Sequence, residues 1–144
     1  MTKEVKLIIN GAQKYETHED NDLKTKVRGE YYFRNNCHYV LYEEQSEGFT
    51  QTTKSMLKLR DGYLEMNRKG LVNTTMVFEK GKETISHYRT PFGEVLLGIN
   101  TKSIAIQELP ELIQAEASYV LTADGNPMAD CRIKIQIIQD KDFL

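Results

Sequence analysis

The stretch Cys131-Arg132-Ile133-Lys134-Ile135-Gln136-Ile137 decides the fold. Apolar side chains occupy every second position and polar ones stand between them. An extended chain therefore buries one face and wets the other, whereas a helical turn would scatter the same residues around an axis. The alternation recurs in Ile113, Ala115, Ala117, Tyr119 and Leu121, with Gln114, Glu116, Ser118 and Thr122 between them. Val5, Leu7 and Ile9 give a third example, and Val27 to Phe33 has the β-rich composition with a less regular alternation.

Residues that favour tight turns separate these runs: Asn35-Asn36, Ser46-Glu47-Gly48, Asp61-Gly62, Lys69-Gly70, Lys80-Gly81 and Asp124-Gly125-Asn126-Pro127. Gly and Asn accept the positive φ that hairpin turns demand. Strands are predicted over 4–10, 24–34, 37–45, 50–59, 63–68, 71–78, 84–90, 93–106, 112–123 and 128–139. Thr90-Pro91-Phe92-Gly93 interrupts a long β region, and a proline that cannot donate to a ladder predicts a bulge or corner there. The segment Leu109 to Ala115 has two readings. One is a short helical turn with Pro110 at its first position; the other is a strand continuing the alternation from Ile113.

Consecutive hairpins leave two edge strands to protect, and closing the sheet removes both. The predicted fold is all-β, one domain over residues 1–144, a closed or nearly closed antiparallel up-and-down barrel of roughly 8–10 strands. A sandwich is the alternative that strand pattern alone leaves open.

Composition limits the partners. Of 144 residues, 40% are hydrophobic and 28% charged, with a net charge of −2 and both signs interspersed, so neither nucleic acid nor an anionic membrane is expected. Tyr31-Tyr32-Phe33-Arg34 and Tyr39-Val40-Leu41-Tyr42 place aromatics near a positive charge, but such clusters on adjacent strands pack against one another. No apolar run is long enough to span a bilayer, and the N-terminal stretch is too interrupted for a signal core, so a cytoplasmic setting is expected. In such a compartment Cys37 and Cys131 read as buried free thiols.

Catalytic and metal motifs are missing. His18, His38 and His87 have no metal-ligand spacing, and neither a phosphate-binding glycine loop nor a nucleophile elbow occurs. No cofactor is expected. The polar pair to follow is Glu44 and Arg68. Arg68 shares a strand face with Leu64 and Met66, and Glu44 shares one with Val40 and Tyr42. If both faces turn inward, a carboxylate and a guanidinium meet inside the barrel or at its mouth. There they orient a polar ligand head, form a structural ion pair, or stand solvated at strand ends. The candidate ligand-binding residues are Tyr42, Glu44, Met66, Arg68, Met76, Phe78, Tyr88 and Tyr119.

Several phrases, taken in order, resemble the YwiB-like group of uncharacterised bacterial proteins. They are Tyr42-Glu43-Glu44 with Gly48, Met56-Leu57-Lys58-Leu59, Arg68-Lys69-Gly70, Met76-Val77-Phe78 with Gly81, Tyr88 to Val95, and Thr101-Lys102-Ser103-Ile104. The resemblance implies a calycin-like, lipocalin-like barrel and a bacterial source, and no established activity. The chain has no tryptophan, so the Gly-x-Trp signature of true lipocalins is absent.

Three functions are carried forward. The first is non-enzymatic binding of a small apolar or amphipathic molecule inside the barrel, in a cavity lined by Leu57, Leu64, Met66, Met76, Phe78, Val95, Leu97, Ile133 and Ile135, with room left by Ala115 and Ala117. The second is a protein-interaction module with a filled barrel. The third is an enzyme whose site at the barrel mouth gathers a His or Cys and a carboxylate. Ligand identity and oligomeric state are not written in the sequence.

Overall fold

A computed structural model describes residues 1–14, 19–45, 48 and 50–140. Ten strands follow one another: β1 (Glu4–Lys14), β2 (Glu19–Arg34), β3 (Cys37–Gln45), β4 (Thr52–Arg60), β5 (Tyr63–Lys69), β6 (Thr74–Glu79), β7 (Glu83–Thr90), β8 (Gly93–Glu108), β9 (Leu112–Ala123) and β10 (Asn126–Gln139). Their order across one sheet is β6-β5-β4-β3-β2-β1-β10-β9-β8-β7, and the ladders are antiparallel. The β1–β10 ladder joins the two ends of the chain, and the sheet curls until its outer strands, β6 and β7, face each other. The result is a nearly closed barrel, with no helix among the described residues.

The seam between β6 and β7 is held by few bonds. Asn73 and Arg89 exchange backbone hydrogen bonds of 2.9 and 3.0 Å, Thr84 Oγ1 donates to the Val77 carbonyl at 2.6 Å, and the Thr74 and Ser86 hydroxyls lie 2.8 Å apart. Opposite residues of an antiparallel pair share a face, so register fixes the interior. Val5, Leu7, Val40, Leu57, Leu59, Leu64, Phe78, Ile99, Ala117, Ile135 and Ile137 are all at most 1% exposed and form one core cluster.

The turns follow the expected chemistry. Asn35 and Asn36 have φ of 52° and 61°, the pair of left-handed residues that a two-residue hairpin between β2 and β3 requires. At Pro91-Phe92, predicted as a bulge or corner, the chain makes a two-residue hairpin closed by the pair Thr90 and Gly93. The bulges fall instead at Gly11/Ala12, Thr101/Ser103 and Pro127/Ala129. The alternative of a helical turn at Pro110 is not realised. Leu109 and Leu112 exchange backbone bonds of 2.8 and 3.4 Å across a hairpin, so the alternation beginning at Ile113 prevails over the proline signal. His18 and the turn residues Ser46 and Glu47 lie outside the described residues.

Candidate functional site

Tracing partners across the wall from β2 gives one row: Gly29 opposite Tyr42, Tyr42 opposite Ser55, Ser55 opposite Arg68, Arg68 opposite Thr74, and then the Thr74–Ser86 contact over the seam. Glu44 and Thr53 are the next inward pair along β3 and β4. One step the other way, the row Val40, Leu57, Met66, Met76 is wholly apolar. The interior is thus layered, with a polar band at one end resting on aliphatic side chains.

Within that band Arg68 Nε lies 3.8 Å from Glu44 Oε1, with the two side chains 24% and 27% exposed. This is ion-pair distance and beyond hydrogen-bond distance. Tyr42 OH, Glu44 Oε1, Ser55 Oγ and Arg68 Nε are buried here with no hydrogen bond of good geometry, and Ser55 and Arg68 stand near enough to the Tyr42 hydroxyl to act on it as hydrogen-bonding neighbours. A buried polar group left unbonded costs roughly 1–3 kcal/mol, so this band is a place where the barrel carries polar chemistry against its packing interest. Burial pushes the Tyr42 hydroxyl up to about 12, with the Glu44 charge adding to the rise and Arg68 opposing it. Tyr119 also stands near Arg68; burial drives its hydroxyl upward, and its ring meets Phe78 edge-on with centroids 4.9 Å apart. Thr101, opposite Tyr119, adds another buried hydroxyl without a partner.

Two openings reach this band. The β2–β3 ladder ends at Gly29 and Tyr42, yet β3 continues to Gln45 while β2 has run in from Glu19, so the strands part there. A crevice of about 780 Å³ lies at the fork, lined by Val27, Gly29, Leu41, Tyr42 and Ser55 together with the charged residues Glu4, Arg28, Glu30, Glu43 and Lys54. A second groove of about 420 Å³ follows the seam, lined by Arg68, Thr74 and Ser86 together with Lys69, His87 and Arg89. Glu94 answers part of that positive charge, at 2.6 Å from His87 Nδ1 and 3.4 Å from Arg89 Nε. The His87 hydrogen bond, aided by Arg89, lowers its carboxyl below the usual range.

The candidate residues are thus distributed unevenly. Tyr42, Glu44 and Arg68 meet in the polar band, with Tyr119 close to Arg68 and Phe78 behind it. Met66 and Met76 face each other in the apolar layer beneath, the first buried and the second half-buried. Tyr88 stands one inward position beyond Ser86 and pairs with Val95 near the barrel end, and no described contact joins it to Arg68. Of the proposed cavity wall, Leu57, Leu64, Met66, Phe78, Ile133 and Ile135 are packed core, whereas Val95 is 38% exposed because β8 leaves the barrel end there. The room expected beside Ala115 and Ala117 is taken by isoleucines: Ile106 and Ile135 flank the first, Ile104 and Ile133 the second. The two openings above adjoin the polar band instead.

A second cluster has no counterpart in the sequence reading. At the start of β3, His38 Nε2 lies 2.6 Å from Glu108 Oε1, and its Nδ1 lies 2.7 Å from Tyr31 OH. A carboxylate only accepts, so Nε2 donates to Glu108, and Nδ1 and the Tyr31 hydroxyl share the second hydrogen bond. Burial, then the Glu108 charge, raises the Tyr31 hydroxyl, which is the opposite of an activated nucleophile. Burial likewise pushes the Cys131 thiol up to about 11. Neither group lines the two openings, and among the described residues no set of three ligating side chains is placed to hold a metal ion. No described helix is long and apolar enough to cross a membrane.

Comparison with known proteins places this geometry. The chain is 32% identical over 82 residues to the "Uncharacterized beta-barrel protein YwiB" of Bacillus subtilis, a match spanning 57% of this chain and 56% of that protein, just over half its length. The crystal structure of the ywiB protein from Bacillus subtilis superposes with a TM-score of 0.83 at 22% identity, covering 96% of this chain and 93% of that one, which establishes the shared barrel. The family model described as "Domain of unknown function (DUF1934)" matches residues 7–135, almost the whole barrel, and the chain belongs to that family.

Proposed function

We propose that this barrel binds a small, partly apolar molecule without transforming it, in a cytoplasmic setting. The polar head sits against Tyr42 and Ser55 in the crevice between β2 and β3, with the Arg68–Glu44 pair beyond them, and the apolar part lies along Val27 and Leu41. One observation carries the reading: the buried polar side chains of Tyr42 and Ser55 line a crevice large enough for a small ligand. Polar side chains buried beside an opening are the groups that fix a ligand's orientation. The alternative of an interaction module draws on the tightly packed apolar layer, which leaves no role for a ligand deeper in the barrel.

Uptake of the neutral fluorescent probe N-phenyl-1-naphthylamine decides between the two. The binding reading expects saturable fluorescence with the native protein and a raised melting temperature by mass action. Val27→Trp, which fills the crevice from a half-buried wall position, is expected to abolish both effects and leave the β-sheet circular dichroism spectrum unchanged. Absence of uptake by the native protein favours the interaction module.

A further inference from the structure

We infer that the groove over the β6–β7 seam is a second binding site, one for a phosphate monoester of a small polar molecule, with Lys69, Arg89 and His87 meeting the phosphate. The site stands apart from the crevice between β2 and β3 and does not depend on it.

Register builds the groove. Thr74 and Ser86 are buried and form its floor, their hydroxyls 2.8 Å apart across the seam. The residues on either side of them in each strand turn outward and form the walls. Two outer rows result. In the first, Lys69 stands beside Asn73, because Arg68 pairs with Thr74, and Asn73 exchanges backbone hydrogen bonds with Arg89. In the second, Asn67 pairs with Thr75, and counting on from the antiparallel Asn73–Arg89 bridge sets Thr75 across the seam from His87. Neighbouring strands are roughly 5 Å apart, so Lys69 and Arg89 rise from backbones about 10 Å apart, a span that their long side chains close on a group held between them. The loop between the two rows' cations is pinned. The Gly70 N–H donates to Asn73 Oδ1 at 3.2 Å, Asn73 Nδ2 donates to the Gly70 carbonyl at 2.8 Å, and a Cβ at Gly70 would collide with the Thr52 carbonyl oxygen.

Charge selects the ligand. The chain carries a net −2, yet three cations line this groove and no carboxylate does. Glu44 answers Arg68, and the single charge of Glu94 is shared between Arg89 and His87. Lys69 has no ion-pair partner among the described residues, and Lys54, opposite it on β4 and itself opposite Glu43, stands beside it as a like charge. His87 spends Nδ1 on Glu94, which leaves Nε2 to a ligand. That nitrogen accepts from the hydroxyl of a phosphate monoanion or, carrying a proton, donates to the dianion. A planar carboxylate offers two oxygens, whereas a phosphate offers three and reaches Lys69, Arg89 and His87 in both rows at once. The groove, at about 420 Å³, holds more than a phosphate group. What lines the remainder is mostly polar and uncharged, Asn67 and Thr75 beside the single apolar residue Ile85, which suits a polar body rather than an acyl chain.

Calorimetric titration in phosphate-free buffer, with amide shifts of ¹⁵N-labelled protein, tests this using glycerol 3-phosphate, glycerol, and phosphatidylcholine vesicles containing phosphatidic acid. The expected result is saturable binding of glycerol 3-phosphate, with shifts centred on the Lys69, Thr75 and Arg89 amides, and none with glycerol. Lys69→Gln and Arg89→Gln are each expected to weaken binding by about fivefold or more, with the β-sheet circular dichroism spectrum unchanged. Glu94→Gln removes the competing carboxylate from Arg89 and His87 and is expected to tighten binding by about threefold or more. No binding of glycerol 3-phosphate, or binding that Arg89→Gln leaves unaltered and Glu94→Gln weakens, overturns the inference. Capture by the vesicles alone overturns the assignment to a small polar molecule and moves the phosphate to a lipid. Uptake of N-phenyl-1-naphthylamine at the β2–β3 crevice is independent of each of these results.

Discussion

His38 Nε2 lies 2.6 Å from Glu108 Oε1, although 70 positions separate the two in the chain and five places separate β3 from β8 in the sheet order. The pair joins β3 to β8 at the end of β3 away from Glu44. His38 is buried and bonded on both ring nitrogens, whereas the Glu108 side chain is 62% exposed. Unequal losses are therefore expected. Glu108→Gln, which exchanges a mostly solvated partner, should cost about 1 kcal/mol or less. His38→Leu leaves the Tyr31 hydroxyl without its partner and should cost roughly 1–3 kcal/mol. Urea midpoints of the two variants check this, and a larger loss from Glu108→Gln would contradict it.

Gly29 sits where β2 turns from β1 toward β3, at the head of the polar row. A Cβ there would lie 2.8 Å from Val40 Cγ1 and 3.0 Å from the Leu41 carbonyl oxygen. Val40 is fully buried and cannot retreat. Gly29→Ala should therefore destabilise the protein by roughly 1–3 kcal/mol through overpacking. An unchanged denaturant midpoint would show the fork between β2 and β3 to be looser than described.

Alkaline pH should unfold the chain through its buried phenols. The Tyr42 hydroxyl is raised from 10.0 to about 12 by burial, and Tyr119 moves in the same direction. A group whose pKa is higher folded than unfolded contributes stability that is complete below its unfolded value and is lost as the pH rises through the folded one. Stability should thus fall between pH 10.0 and about 12. Tyrosinate absorbance followed against pH should show these phenols ionising together with loss of the sheet signal. Their free titration at ordinary tyrosine pH in the folded protein would refute the burial.

Both thiols are free and buried, and Cys131 is shifted upward to about 11. Little thiolate is then present under mildly alkaline conditions, and what forms is covered. Iodoacetamide at about pH 8 should leave Cys131 unmodified in native protein and alkylate it after urea unfolding. Mass spectrometry of the two samples distinguishes them. Rapid alkylation of native Cys131 would place it at a mobile or open position.

The strands were legible because one chemical pattern, alternation, dictates both local conformation and the buried face. Ile133, Ile135 and Ile137 show it without any tertiary knowledge. Part of the polar row was legible as well. A two-residue turn at Asp61-Gly62 makes Arg60 and Tyr63 partners, and counting back sets Ser55 opposite Arg68. Ser55 was passed over because a lone serine in a strand is commonplace, and only its neighbours across two ladders give it meaning. The Tyr31–His38–Glu108 chain was out of reach, since β8 meets β3 only once the sheet has curled. The packing beside the two small residues of β9 is hidden for a related reason. Ala115 and Ala117 read as gaps in a list of side-chain sizes, but the isoleucines on both adjoining strands fill them. The opening instead comes from two strands parting, which no single segment encodes.

The central claim is that a ligand's head engages the polar band, and the Arg68 Nε–H resonance reads this directly. Assigned with an Arg68→Lys variant in ¹⁵N-labelled protein, it can be followed as 1-octanol is added. Binding as described predicts a saturable shift of Arg68 Nε–H, accompanied by shifts of the Tyr42 and Ser55 amides. A titration in which these signals stay still, while only outer-face residues such as Ile85 or Leu96 respond or nothing moves at all, would contradict it.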